Sequence, residues 1–283
     1  MALFSLLIAI MVERLKLLPA SWQFDSMLTK YQRLFWKDKK LDSTLAVSAV
    51  VLIPAVITFL LLLLIDGVFY DLITLLLWVT IAIFCLSHQS LRTSFKKYML
   101  AACRGDVQAC YHYAENLDSS ECLDAVDEKD LGHQIGKTVA WVNYRYYGAV
   151  ALFLICFGPV GAVLYCSVRF YDQYSQQNKL DMPFISRLLF VLDWLPSRVF
   201  SFGFVLSGHF AAGISEWRKQ VFNPNNSAKN IVSYTALAAE TVAESTSAPV
   251  CVQPTLALLA LSKRNFILLL TVLSVLTIFG LVS

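Results

Sequence analysis

Leu192-Asp193-Trp194-Leu195-Pro196-Ser197-Arg198 sets an aspartate and an arginine five residues apart inside an otherwise apolar stretch. Charges in such surroundings are costly unless they pair or face an aqueous cavity. One reading is an Asp193–Arg198 ion pair bracing a helix break at Pro196. The other is a site in which the planar guanidinium of Arg198 holds a phosphate or a carboxylate. A second cluster, Asn143-Tyr144-Arg145, stands at the mouth of an apolar run and leads into Tyr146-Tyr147. An aromatic belt with a snorkelling arginine would look the same. Glu13-Arg14, which closes an apolar N-terminal segment, is a third.

Two further patterns fall short of the chemistry they suggest. Leu131-Gly-His-Gln-Ile-Gly-Lys-Thr138 looks like a phosphate-binding loop, but three residues, not four, separate Gly132 from Gly136. A loop that wraps a phosphate needs the longer spacing and a preceding hydrophobic strand, which is absent here. Cys103, Cys110, His112, Cys122 and His133 lack the paired ligands two to four residues apart that a structural zinc site uses, so no metal site is expected.

The elements that must position these residues are long apolar runs. Residues 45–65, 68–86, 146–168 and 266–282 contain no Lys, Arg, Asp or Glu apart from Asp71, and Asp66 lies between the first two. About 20 apolar residues cross a hydrocarbon core as a helix. With 57% hydrophobic residues and mean hydropathy +0.60, the expected fold is all-α: a polytopic helical membrane protein with four to five transmembrane helices. The net charge of +3 gives no indication of nucleic-acid binding. Seven scattered cysteines without a Cys-x-x-Cys pair fit a reduced cytoplasmic face better than a disulfide framework.

Along the chain, residues 1–283 read as a single membrane domain. Residues 3–12 form a short span or re-entrant segment, retained and not cleaved as a signal peptide. Residues 13–44 contain an amphipathic interfacial helix with Trp22, Met27, Leu28, Tyr31, Leu34 and Phe35 at helical spacing and a basic face. A transmembrane hairpin occupies 45–86, and a cytoplasmic helical insertion 87–145, with an acidic loop at 118–130. Transmembrane or re-entrant helices fill 146–213, with a kink expected at Gly158-Pro159-x-Gly161. A second cytoplasmic segment covers 214–263, and 264–283 is a C-terminal transmembrane helix. Lys and Arg concentrate in residues 13–44, 87–145 and 214–264 and are missing from the hairpin tip, which places the basic segments in the cytoplasm.

Glu13-Arg14-Leu15, Trp22-Gln23-x-Asp25, Gly105-Asp106, Trp141-Val142-Asn143-x-Arg145, Gly158-Pro159-x-Gly161 and Leu192-Asp193-Trp194-Leu195-Pro196-x-Arg198 occur in an order that resembles the AmpE family. The resemblance implies a bacterial inner-membrane, multi-pass protein associated with β-lactamase regulation and cell-wall recycling. That family is distantly similar to the cobalamin-biosynthesis membrane ligase adenosylcobinamide-phosphate synthase. The corresponding ligase segment has an acidic residue where this chain has Val142, and another where it has Arg145. Losing carboxylates where magnesium and nucleotide would bind argues against the same ATP-dependent amide formation.

The leading expectation is thus a regulatory, non-enzymatic membrane protein. Glu13, Arg14, Asp25, Asp106, Asn143, Arg145, Asp193 and Arg198 would line a cytoplasm-facing polar pocket for an anionic metabolite or nucleotide. The alternative is a membrane-bound ligase retaining ATP and magnesium as cofactors. A transporter is less well supported, since no inverted repeat is visible. The lipid bilayer is the expected environment and a homodimer is a further expectation.

Overall fold

The computed structural model describes residues 1–16, 18–19, 22–35, 44–65, 71–115, 128–178, 180, 182–240 and 253–281. The acidic stretch 118–127, the hairpin tip 66–70, and Lys37, Lys39 and Lys40 lie outside the described residues. Every regular element among the described residues is helical. Among the described residues, five helices are long and apolar enough to cross a membrane: Ala46–Ile65, Leu72–Cys103, Gly132–Gln177, Phe184–Ser207 and Gln253–Ile278. The all-α, polytopic expectation and its upper span count therefore hold.

The chain divides into two compact units. Unit 1 holds Met1–His88, Ala149–Asp193 and Leu273–Ser283. It opens with α1 (Ala2–Leu15) and α2 (Phe24–Phe35), followed by α3 (Thr44–Ile65) and α4 (Leu72–Leu86). In α1, the buried residues Ala2, Ser5, Leu6, Ala9 and Glu13 recur at helical spacing. They give the helix one inward stripe, and α1 packs on α4 and on the later helix α8 (Ala149–Gln177). Its 14 residues extend only ~21 Å at 1.5 Å per residue, less than the ~30 Å hydrocarbon core.

The basic α2 docks on α8 through Leu28 and Gln32, both buried, while Trp22, Met27, Lys30, Arg33 and Leu34 stay exposed. The α3–α4 hairpin packs on α8 as well. Near its middle α8 leaves helical geometry at Gly158, with φ 67° and ψ −162°. Only glycine adopts that backbone region readily. Pro159 follows without an N–H, so the Ile155 carbonyl loses its helical donor. The kink expected from Gly158-Pro159 is thus a true interruption.

Unit 2 holds Gln89–Gly148 and Trp194–Val272. It contains α5 (Gln89–Cys103), α6 (Val107–Glu115), α7 (Glu128–Asn143) and a π-helical turn, Tyr144–Gly148. It also takes the later part of α9 (Pro183–Ser207), α10 (Phe210–Val221), α11 (Ala228–Ala239) and the larger part of α12 (Gln253–Ile278). Tyr98, Ala101, Ala102, Cys110, Ile135 and Val139 form a small core where α5, α6 and α7 meet.

Two local expectations change. Pro196 was expected to break the helix, yet α9 continues through it from Pro183 to Ser207. The break falls instead at Gly208-His209, where the His209 N–H donates to the Ala239 carbonyl at 2.6 Å. A β-carbon on Gly208 would run into that carbonyl, so the residue must be bare for the two segments to approach. The second change is the π-helical turn, which inserts an extra residue just where the Asn143-Tyr144-Arg145 cluster stands.

Candidate functional site

In unit 1 a charged cluster forms between segments far apart in sequence. Arg169 of α8 is fully buried, and its Nη2 donates to Asp25 Oδ1 of α2 at 2.9 Å. The Asp25 side chain is 30% exposed, so the pair has one buried end and one end in reach of solvent. His88, buried in the two-residue break between α4 and α5, presents Nδ1 3.6 Å from the other Asp25 oxygen. Its Nε2 lies 3.1 Å from the Cys85 carbonyl and carries the proton there, because a carbonyl only accepts.

The polar side of α8 extends in both directions from Arg169. Tyr165 donates to Asp193 Oδ1 at 2.9 Å, and Asp172 accepts from Ser186 at 3.0 Å and Gln176 at 3.1 Å. Tyr165, Arg169 and Asp172 stand at i, i+4 and i+7, on one face of the helix. Arg169 and His88 are the residues that motif reading missed. The Tyr-x3-Arg-x2-Asp spacing was the signal that could have exposed the first.

The predicted site residues divide between the units. Glu13, Arg14, Asp25 and Asp193 belong to unit 1, and Asp106, Asn143, Arg145 and Arg198 to unit 2. Glu13 is buried on the inward stripe of α1, whereas its neighbour Arg14 is exposed. Asp25 joins Arg169 and His88 as described, and Asp193 is buried against Tyr165.

In unit 2 the same residue types make structural contacts. Asp106 Oδ1 accepts from the Ala109 N–H at 3.0 Å and so caps α6, with Gly105 at φ 71° shaping the turn before it. The Asn143 side chain donates to the Val139 carbonyl one turn back at 2.8 Å. Arg145 is buried, its guanidinium 5.6 Å from the Trp141 ring centre. Tyr144 packs between the rings of Trp141 and Phe200, 5.5 Å from each.

Arg198 reaches across to the end of α10. Its Nη1 donates to the Trp194 carbonyl at 2.7 Å, Nη2 to Asn223 at 3.1 Å and Nε to Val221 at 3.3 Å. The guanidinium also lies 4.1 Å from the Trp194 ring centre. A cation on carbonyls that end a helix suits the negative end of the helix dipole. All three nitrogens are thus engaged with backbone, an arrangement that braces α9 against the α10–α11 connection.

Magnesium, which the ligase similarity would bring, finds a poor donor set. Among the described residues no group of three His, Cys, Asp or Glu side chains converges to hold a metal ion. Asp106 caps a helix and Asp193 accepts from a tyrosine, so neither carboxylate is set up as a metal ligand.

The fold and this buried polar lining define a polytopic helical membrane protein with charged groups enclosed among its spans. The whole chain, residues 1–283, matches the family model described as regulatory signalling modulator protein AmpE. It is 28% identical over 291 residues to Protein AmpE of Shigella flexneri, with 99% of each chain covered. The chain therefore belongs to the AmpE family. No solved structure matches it.

Proposed function

We propose that this protein acts in the inner membrane as a regulator linking cell-wall recycling to β-lactamase induction. It binds an anionic ligand, a nucleotide or a carboxylated or phosphorylated metabolite, at the cytoplasmic end of unit 1. Membership of a family of regulatory signalling modulators supports the role. The observation that carries the ligand site is the Asp25–Arg169 pair. Arg169 is sealed inside, while the carboxylate opposite it is one-third exposed. An incoming anion can therefore compete with Asp25 for a cation that water does not reach. His88 flanks that position, and Glu13 and Arg14 at the end of α1 complete the proposed unit 1 lining.

The test is the thermal stability of detergent-purified protein titrated with nucleotides plus magnesium and with muropeptide metabolites. A ligand that binds the folded state raises the unfolding temperature by mass action. Competition makes a distinctive forecast: Asp25→Asn strengthens the ligand-dependent shift, and Arg169→Gln removes it. Absence of any shift across the panel would refute the pocket and leave a protein-interaction role. A shift confined to ATP with magnesium would favour the ligase reading.

A further inference from the structure

Unit 1 contains a groove of 710 Å³ between α3, α4, the interrupted middle of α8 and the start of α9. Its size falls within the roughly 300–1,000 Å³ of ordinary ligand pockets. Phe59, Leu63, Trp78, Phe153 and Phe157 are among the residues that line it, and Phe157 is 68% exposed. Among the described residues that line it, Thr74 alone bears a hydroxyl. The groove lies wholly within segments long and apolar enough to span the membrane, so hydrocarbon is the medium that reaches it.

Two features separate it from an ordinary lipid-facing crevice. The first is the interruption at Gly158, whose backbone lies against the Trp78 ring. A β-carbon there would sit 3.2 Å from the indole, and the positive φ already excludes most side chains. The departure from helical geometry at Gly158 thus falls within the groove lining. The second is Thr74. Thr58 and Thr80, on the same two helices, give their hydroxyls to the carbonyl four residues back, at 2.9 and 2.7 Å. The Thr74 hydroxyl is buried at the groove wall with no hydrogen-bond partner among the described residues. A buried hydroxyl without a hydrogen bond is unfavourable, and an acceptor supplied by an occupant of the groove would satisfy it.

Thr74 is the third residue of α4, ~3 Å along the helix axis from its start. It therefore stands at the hairpin-tip end of the α4 part of the groove. An occupant that is apolar along its length and offers an acceptor at this one level matches the lining.

We propose that the groove holds one acyl chain of a bilayer phospholipid, its ester carbonyl accepting a hydrogen bond from Thr74. The chain enters at the hairpin-tip end of α3 and α4 and runs past Trp78 to the Gly158–Gly161 interruption. The lipid is a bound component, exchanging more slowly than the surrounding bilayer lipid. This assignment is independent of the anion site at Asp25 and Arg169.

The test places the full-length protein in nanodiscs of phosphatidylglycerol, doped with an analogue carrying a diazirine midway along one acyl chain. Photolysis, digestion and mass spectrometry then locate the label. Label should concentrate several-fold on residues 153–164 and on Trp78 over the exposed faces of α3 and α9. Leu164→Trp, which fills the groove, should remove that excess and leave labelling at Val191 and Leu195 unchanged. Uniform labelling of all lipid-facing helices, or an excess that survives Leu164→Trp in folded protein, would overturn the proposal. Thr74→Val, which keeps the shape and deletes the hydroxyl, gives an independent reading should Leu164→Trp fail to fold. By native mass spectrometry after detergent exchange, it should lose a phospholipid that the parent retains. Equal retention, or no retained lipid in either, would refute the Thr74 contact.

Discussion

Removing the two partners of the Asp25–Arg169 pair one at a time should cost unequal amounts. The charge centres of a hydrogen-bonded carboxylate and guanidinium lie ~4 Å apart, which at an effective dielectric of ~20 gives about 4 kcal/mol of attraction. Asp25→Asn takes that attraction from a guanidinium with no access to solvent. The expected loss is about 3–4 kcal/mol, within the range for breaking buried pairs. Arg169→Met instead leaves a carboxylate that is 30% exposed and can recover hydration, so the expected loss is about 1–2 kcal/mol. In the double variant the losses should fall well short of additive, by about 2 kcal/mol or more. Reversible unfolding in mixed micelles, titrated with SDS and followed by circular dichroism, measures all four corners of the cycle. Arg169→Met as damaging as Asp25→Asn, or a coupling near zero, would refute the one-sided burial on which the proposed anion competition depends.

Other perturbations test the unit 2 geometry. A β-carbon on Gly148 would come within 2.5 Å of the Phe200 ring. Gly148→Ala should therefore destabilise by about 1–3 kcal/mol, with Phe200→Leu restoring part of the loss in the same SDS titration. Arg198→Ala should cost about 4–5 kcal/mol, since its donors hold three carbonyls and hydrogen bonds to charged groups contribute roughly 1.5–3 kcal/mol each. Arg198→Lys should fail to rescue it, because an ammonium lacks the planar fork. Hydrogen bonding from Gln220, then from Lys219, holds the Glu216 carboxyl below its usual range. Its contribution is complete above the ordinary glutamate value of about 4.3 and disappears as pH falls through the lower folded value. Glu216→Gln should accordingly lower stability slightly at neutral pH, leave it unchanged below the folded value, and so flatten the acid side of the stability–pH profile.

Sequence patterns of short range survived into the structure, and those requiring distant partners did not. The apolar runs gave the spans because a bilayer leaves few alternatives to a helix, and Gly158-Pro159 gave the interruption because both residues act on their own backbone. Gly105-Asp106 looked like a ligand motif but is a turn and a helix cap, a reading equally available from its position before an apolar stretch. Arg198 was rightly singled out as a buried cation. Its partners are carbonyls 23 and 25 residues onward, which side-chain motifs do not reveal. Asp25 and Arg169 are 144 residues apart, a pairing that requires a fold. Pro196 misled because a missing donor predicts strain, and a helix secured on both sides of it by packing tolerates the strain without ending.

The Asp25–Arg169 pair also bears on biogenesis. A nascent segment carrying arginine enters a bilayer against a penalty that translocon insertion sets at about 2.5–3.5 kcal/mol near the middle of a span, and less toward its ends. The carboxylate that offsets Arg169 is made 144 residues earlier and is already at the membrane when α8 emerges from the ribosome. Vectorial synthesis thus delivers the counter-ion before the charge that needs it. In a rearranged gene with α1 and α2 behind α8, the arginine would have to wait for its carboxylate during insertion, where quality-control proteases act.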